Sequence, residues 1–115
     1  MEHEAPIPSE WLARVLDVLR SADRNRIQWT LQATRDWTAA TLSVFVFEAE
    51  EAMIRALSAR SVLGISVPLL EDGETYAFWF THDDIQLYGK ICLRSDGLRI
   101  KVVSAHTPRK GTQLS

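Results

Sequence analysis

The residues best equipped for chemistry in this chain fall late in it. Within YGKICLRSDGLRIKVVSAHTPRKG, residues 88–111, stand Tyr88, Lys90, Arg94, Arg99, Lys101, His106, Arg109 and Lys110, with Asp96 as the single acid. A histidine side chain titrates near neutral pH and can take or give a proton. A tyrosine does so only near pH ~10, unless cations such as Lys90 and Lys101 lower it. Arginine holds a phosphate with a planar fork and lysine holds it as a point charge, which suits Arg99, Arg109 and Lys110 to an anion. Trp79, shortly upstream, offers a face on which an unpaired base can stack. Each residue also has a plainer reading. Trp79 and Tyr88 can simply pack across neighbouring strands, and Lys90 and Lys101 can be solvated strand residues.

The charge distribution favours the anionic reading locally rather than globally. The chain has 115 residues and a formal net charge of −2. Residues 1–81 hold seven Arg/Lys against twelve Asp/Glu, whereas residues 82–115 hold six against three. All three lysines lie in the second part. A polyanion responds to the local sign, so the basic end is where one would sit.

Other chemistries find little support. Cys92 is the one cysteine, so no internal disulfide is possible and a reducing, cytoplasmic setting is expected. No histidine lies near it in the sequence to activate a thiol nucleophile. His3, His82 and His106 are too widely spaced for a metal motif, and no cofactor is expected. His82 beside Asp83 and Asp84 reads as turn chemistry. The N-terminus MEHEAPIPSE is acidic with no apolar core, so no signal peptide is expected, and no apolar run is long enough for a membrane span.

The elements that must position these side chains follow from hydrophobic spacing. With 46% hydrophobic and 24% charged residues, one globular domain over 1–115 is expected, with residues 1–8 a loose tail and 107–115 a basic one. Ser9 fits a helix N-cap, and Trp11, Leu12, Val15, Leu16 and Leu19 recur at helical spacing over 10–21. RIQWT, 26–30, suits a short strand. LQATRDWTAATLS favours a helix by its Ala and Leu content, while VFVF at 44–47 suits a strand or the start of the next helix. Glu48, Glu50 and Glu51 favour a helix N-terminus, giving a helix over 48–61.

From residue 74 the period changes to two. ETYAFWFTH, QLYGKICLR and LRIKVVSAH read as three strands joined at Asp83-Asp84 and Asp96-Gly97, the latter predicted as a type I′ turn. That turn sets Arg94 opposite Arg99, Leu93 opposite Ile100 and Ile91 opposite Val102. One face then carries Phe78, Phe80, Leu87, Ile91, Leu93, Ile100 and Val102 as core. The other carries Trp79, Tyr88, Lys90, Cys92, Arg94, Arg99, Lys101 and Val103. Strict alternation sends His106 to the core face, beside Leu87. The expected fold is α+β, with N-terminal helices packed on one face of a C-terminal three-stranded antiparallel sheet.

The segments FWFTHDDIQLYGKICL and GLRIKVVSAH, following helices in this order, resemble the MqsR-type toxins of bacterial toxin–antitoxin pairs. More broadly they resemble the RelE-like small ribonucleases, and RIKVVSAH is similar to the ending of BrnT-type toxins. One departure is that Trp79 is followed by Phe80, where the MqsR-type strand has a Trp-Gln pair. The resemblance implies a RelE-like fold and an endoribonuclease that cuts RNA without metal and is neutralised by a cognate antitoxin protein. It selects Tyr88 and Lys90 from LY-x-K, and His106 or Arg109 and Lys110 at the end of the last strand. Catalytic roles then fall to Tyr88, His106 and Lys90, and RNA binding to Trp79, Arg99, Lys101, Arg109 and Lys110. A binding module without catalysis, for protein or RNA, is the alternative.

Overall fold

The computed structural model describes residues 4–68 and 72–108. Three helices, α1 (Ser9–Ser21), α2 (Leu31–Thr41) and α3 (Val46–Leu57), accompany six strands. The strands are β1 (Ala5–Pro6), β2 (Ile27–Trp29), β3 (Leu63–Ser66), β4 (Glu74–His82), β5 (Ile85–Leu93) and β6 (Ile100–His106).

The expected three-stranded antiparallel sheet is therefore corrected to one mixed six-stranded sheet, ordered β1-β3-β4-β5-β6-β2. The meander β4-β5-β6 is its centre, and shorter strands extend both edges. β2 pairs in parallel with β6, Ile27 opposite Ile100 and Trp29 opposite Val102. β3 pairs antiparallel with β4, and Ala5–Pro6 then caps β3. Residues 5–8, expected in a loose tail, are thus engaged, and Ile7 is buried in the core. Pro6 is tolerated because β1 is an edge strand with a free side, where no ladder donor is missed.

The helices form where the apolar spacing sets them, with shifted ends. α1 begins at Ser9 itself, after Pro8, and buries Trp11, Val15, Leu16, Val18 and Leu19. It stops at Ala22, whose left-handed φ of 53° returns its N–H to Leu19 O. α2 is capped by Thr30, whose hydroxyl accepts from the Ala33 amide. α3 starts two residues early, at Val46, and stops at Leu57 rather than 61. Its first turn therefore includes half of VFVF, which resolves that segment as the entry to a helix rather than a strand.

One core holds the layers together. Phe78, Phe80, Leu87, Ile91, Leu93, Ile100 and Val102 are buried in one cluster with Trp11, Val15, Trp37 and Met53 from the helices. Removal of each such side chain from water contributes about 1.5–3 kcal/mol. Gly89 keeps the centre closed: a Cβ there would meet the Phe78 ring at 3.0 Å and Phe80 at 3.1 Å.

The two hairpins are closed by different turns, and the expected pairs next to the second turn are kept. Asp83 and Asp84 have φ of 47° and 65°, the type I′ signature, closed by His82 opposite Ile85. At the second hairpin only Gly97 is left-handed, with φ of 70°. The turn is instead Arg94–Gly97, where the Gly97 amide donates to Arg94 O, and Arg94 N pairs with Arg99 O. A four-residue loop and a two-residue turn nested within it keep the same pairs opposite, so Leu93 still faces Ile100 and Ile91 faces Val102.

Candidate functional site

The register fails at one place, and that place builds the site. Between Lys90 and Ile91 the β5–β6 pairing shifts by one, so Lys90 faces Ser104, Gly89 faces Ala105 and Tyr88 faces His106. Val103 is the extra residue of a β-bulge, and a bulge reverses the side-chain parity beyond it. His106, expected beside Leu87 on the core face, is thereby turned onto the face of Tyr88. The bulge sits where β2 runs into α2. The Thr30 amide donates to Val102 O at 3.1 Å and its hydroxyl to Val103 O at 3.4 Å, so both carbonyls are satisfied.

Three aromatic rings now cross the sheet side by side. Trp79 on β4 meets Tyr88 edge-on at 6.0 Å, and Tyr88 on β5 stacks on His106 of β6 at 4.9 Å with planes 21° apart. Lys90 Nζ lies 5.6 Å from the Tyr88 ring centroid, a cation–π contact. Tyr88 is the packed centre of this group, only 9% exposed. Its hydroxyl bonds to no described residue, and no fully buried polar side-chain atom among those residues lacks a partner. The hydroxyl therefore keeps some contact with solvent.

Burial sets the electrostatics of this group. It raises the Tyr88 phenol above its ordinary value and lowers the Lys90 ammonium below its own. Tyr88 would have needed its pKa lowered by the neighbouring lysines to act as a base; loss of solvent moves it the other way, and the phenol keeps its proton. His106 Nδ1 lies 2.8 Å from Thr107 O. A carbonyl only accepts, so Nδ1 carries the hydrogen and Nε2 holds the lone pair of the neutral ring.

Of the remaining expected residues, Lys101 and Arg99 lie further along the same strand pair. Lys101 lies opposite Cys92, on the Lys90 side of the sheet. Arg99 is at the hairpin turn, 2.8 Å from Asp96, whose carboxyl is held below its usual value chiefly by the Leu98 amide. Arg109 and Lys110 lie outside the described residues. Cys92 is buried, its sulfur 3.7 Å from Asp72 O, beneath the segment leading into β4. His82 sits 3.4 Å from Asp83 and meets the Trp37 ring, as a turn residue would. Among the described residues no three His, Cys, Asp or Glu side chains gather as a metal site.

Sequence reasoning missed one buried polar cluster. Glu50, read as a helix N-terminal charge, is 3% exposed. It accepts from Arg24 Nη1 at 3.1 Å, from Arg24 Nη2, and from Trp29 Nε1 at 2.8 Å. The Glu50 hydrogen bond raises the Arg24 pKa still further. This pair ties the approach to β2 onto α3, and so fixes the strand that supports the bulge. Glu50 facing inward from α3 beside Ala49 and Met53 was the available signal; its partner 26 residues earlier carried none.

No protein-family model, curated protein or solved structure matches this chain.

Proposed function

We propose that this protein is an endoribonuclease of the toxin kind, cleaving single-stranded RNA on the face that carries Trp79, Tyr88, Lys90 and His106. The observation that supports the reading most is the Tyr88–His106 stack, because it joins a proton acceptor to a phenol and a cation. In this reading His106 Nε2 takes the proton of a ribose 2′-hydroxyl as its oxygen attacks the adjacent phosphorus. The P–O5′ bond breaks, leaving a 2′,3′-cyclic phosphate, and the 5′-oxygen takes a proton from the Tyr88 hydroxyl. The protonated histidine returns that proton to tyrosine through solvent. Lys90 stabilises the charge gathering on the phosphorane. Half-buried Trp79 supplies the stacking face for a base.

An antitoxin partner has an apolar surface to meet. Leu42, Val44, Phe45 and Phe47 are exposed around the α2–α3 connection, and the Phe45 and Phe47 rings touch at 5.5 Å. The deciding experiment is tightly induced expression of the chain alone, with growth followed and RNA 5′ ends mapped. Growth arrest with new RNA ends supports the reading. Normal growth and an unchanged end map, with folded protein present, leave it a binding module.

A further inference from the structure

A second basic feature lies at the other end of the same strands. Arg24, Arg26, Arg94 and Arg99 line one cavity of about 330 Å³ with Asn25 and Gln28, and no carboxylate of the described residues lines it. It sits where β2 begins and the β5–β6 hairpin turns, so it is built from two segments some 70 residues apart in sequence. One backbone bond and one side-chain bond pin those segments together: Ile100 N donates to Arg26 O at 2.9 Å, and Arg26 Nε donates to Leu98 O at 2.8 Å.

Each of the four guanidinium groups already has a partner. Glu50 grips Arg24, Asp17 grips Arg26, Asp96 grips Arg99, and Asp72 O accepts from Arg94. A guanidinium has five N–H donors, and these bonds occupy at most two on any one of them. The rest remain to be shared by an incoming tetrahedral anion. Because the forks are already ordered, little side-chain entropy is lost when such an anion binds. Arginine is also the residue type whose planar donors match phosphate oxygens in pairs.

We propose that this arginine cavity is a phosphate-binding site, and that it seats a backbone phosphate of the same RNA whose bases meet the aromatic row. The second half of this proposal rests on the function proposed above; the anion site does not. Tyr88 and Arg94 are six residues apart along one extended segment, about 20 Å at ~3.3 Å per residue. A dinucleotide cannot reach both features. A decanucleotide can, since its nine steps span about 31 Å at ~3.4 Å each when stacked.

The test measures the affinity of the full chain for pyrophosphate, for a dinucleotide and for a non-cleavable decanucleotide, in wild type and in the R94A/R99A double variant. R94K/R99K keeps the charge without the fork, and circular dichroism checks folding of each. The expected result is that R94A/R99A weakens pyrophosphate and decanucleotide binding about tenfold and leaves the dinucleotide unchanged. The decanucleotide salt slope should flatten by about 0.7 for each phosphate that the variant no longer neutralises. R94K/R99K should recover part of both. Pyrophosphate binding weakened as expected in the variant, with no RNA binding by wild type, keeps the anion site and sinks the RNA reading instead. Pyrophosphate that fails to bind wild type, or binds folded R94A/R99A equally well, overturns the proposal.

Discussion

The two ends of the β5–β6 pair are both basic, yet they handle charge in opposite ways. At the Tyr88 end the groups are packed against one another, and loss of solvent moves Tyr88 up and Lys90 down. At the hairpin end the cations are arginines braced by carboxylates and carbonyls, and Asp96 is pulled down by the amide and guanidinium it faces. A perturbed group is costly and chemically useful, whereas a braced arginine is cheap to hold and suited to grip. The comparison teaches that one strand pair can carry two kinds of basic surface, one whose groups are perturbed by packing and one whose groups are fixed by partners.

Three changes break or sharpen this contrast. Tyr88→Phe has the largest expected effect: it keeps the ring and its stack but removes the acid, and cleavage should fall about 100-fold or more. The thermal midpoint should stay near wild type, because the hydroxyl bonds to no described residue. Loss of folding in that variant would show that the phenol is structural. Changes at Arg94 or Arg99 should weaken binding without touching the rate on saturating substrate.

Glu50→Ala should destabilise the chain by about 2–4 kcal/mol in urea titration. The substitution leaves Arg24 and the Trp29 N–H without their acceptor, and Arg24 is half exposed, which trims the penalty. It should also weaken both ends, since the pair fixes β2 beneath the bulge and Arg24 lines the cavity. An effect on stability alone would separate β2 from both functions.

The smallest effect concerns pH. The Tyr88 pKa is raised by folding, so its contribution is full below ~10 and is lost as pH rises through the folded value. Lys90 has the opposite sign: its lowered pKa penalises the folded state at neutral pH, and the penalty is relieved as pH rises toward ~10.5. Asp96 is lowered, so its contribution holds above ~3.8 and disappears as pH falls through its folded value. The aromatic end should therefore respond to alkali and the hairpin end to acid. Urea titrations across pH should show Tyr88→Phe altering only the alkaline limb and Asp96→Asn only the acid one.

Much of this architecture was legible because burial imposes a period. The spacing of Trp11, Val15 and Leu19 gave α1, and alternation from Thr75 to Val102 gave both faces of the meander. Register survived a misread turn because nested loops preserve the same opposite pairs. What stayed hidden is what carries no period. LGIS is four residues with a glycine, and Ala5–Pro6 is two, so neither edge strand had room for a pattern. The parallel pairing of β2 with β6 depends on a partner some 70 residues away. The bulge at Val103 is invisible to alternation, since V-V-S reads equally well with or without an extra residue. That single slip placed His106 on the wrong face, and so hid the stack around which the site is built. Arg99 was legible as a basic residue of the hairpin; that Arg24 and Arg26 line a cavity with it required the fold.

The most direct test of the central claim is cleavage of a single-stranded oligoribonucleotide by purified protein in the presence of a chelator, comparing wild type with His106→Asn. Asparagine retains a polar side chain facing Thr107 but has no nitrogen that can take a proton. Wild type should yield 2′,3′-cyclic phosphate and 5′-hydroxyl ends, and folded His106→Asn should lose at least about 100-fold of that rate. Equal cleavage by the two proteins, or none by wild type, would contradict the account.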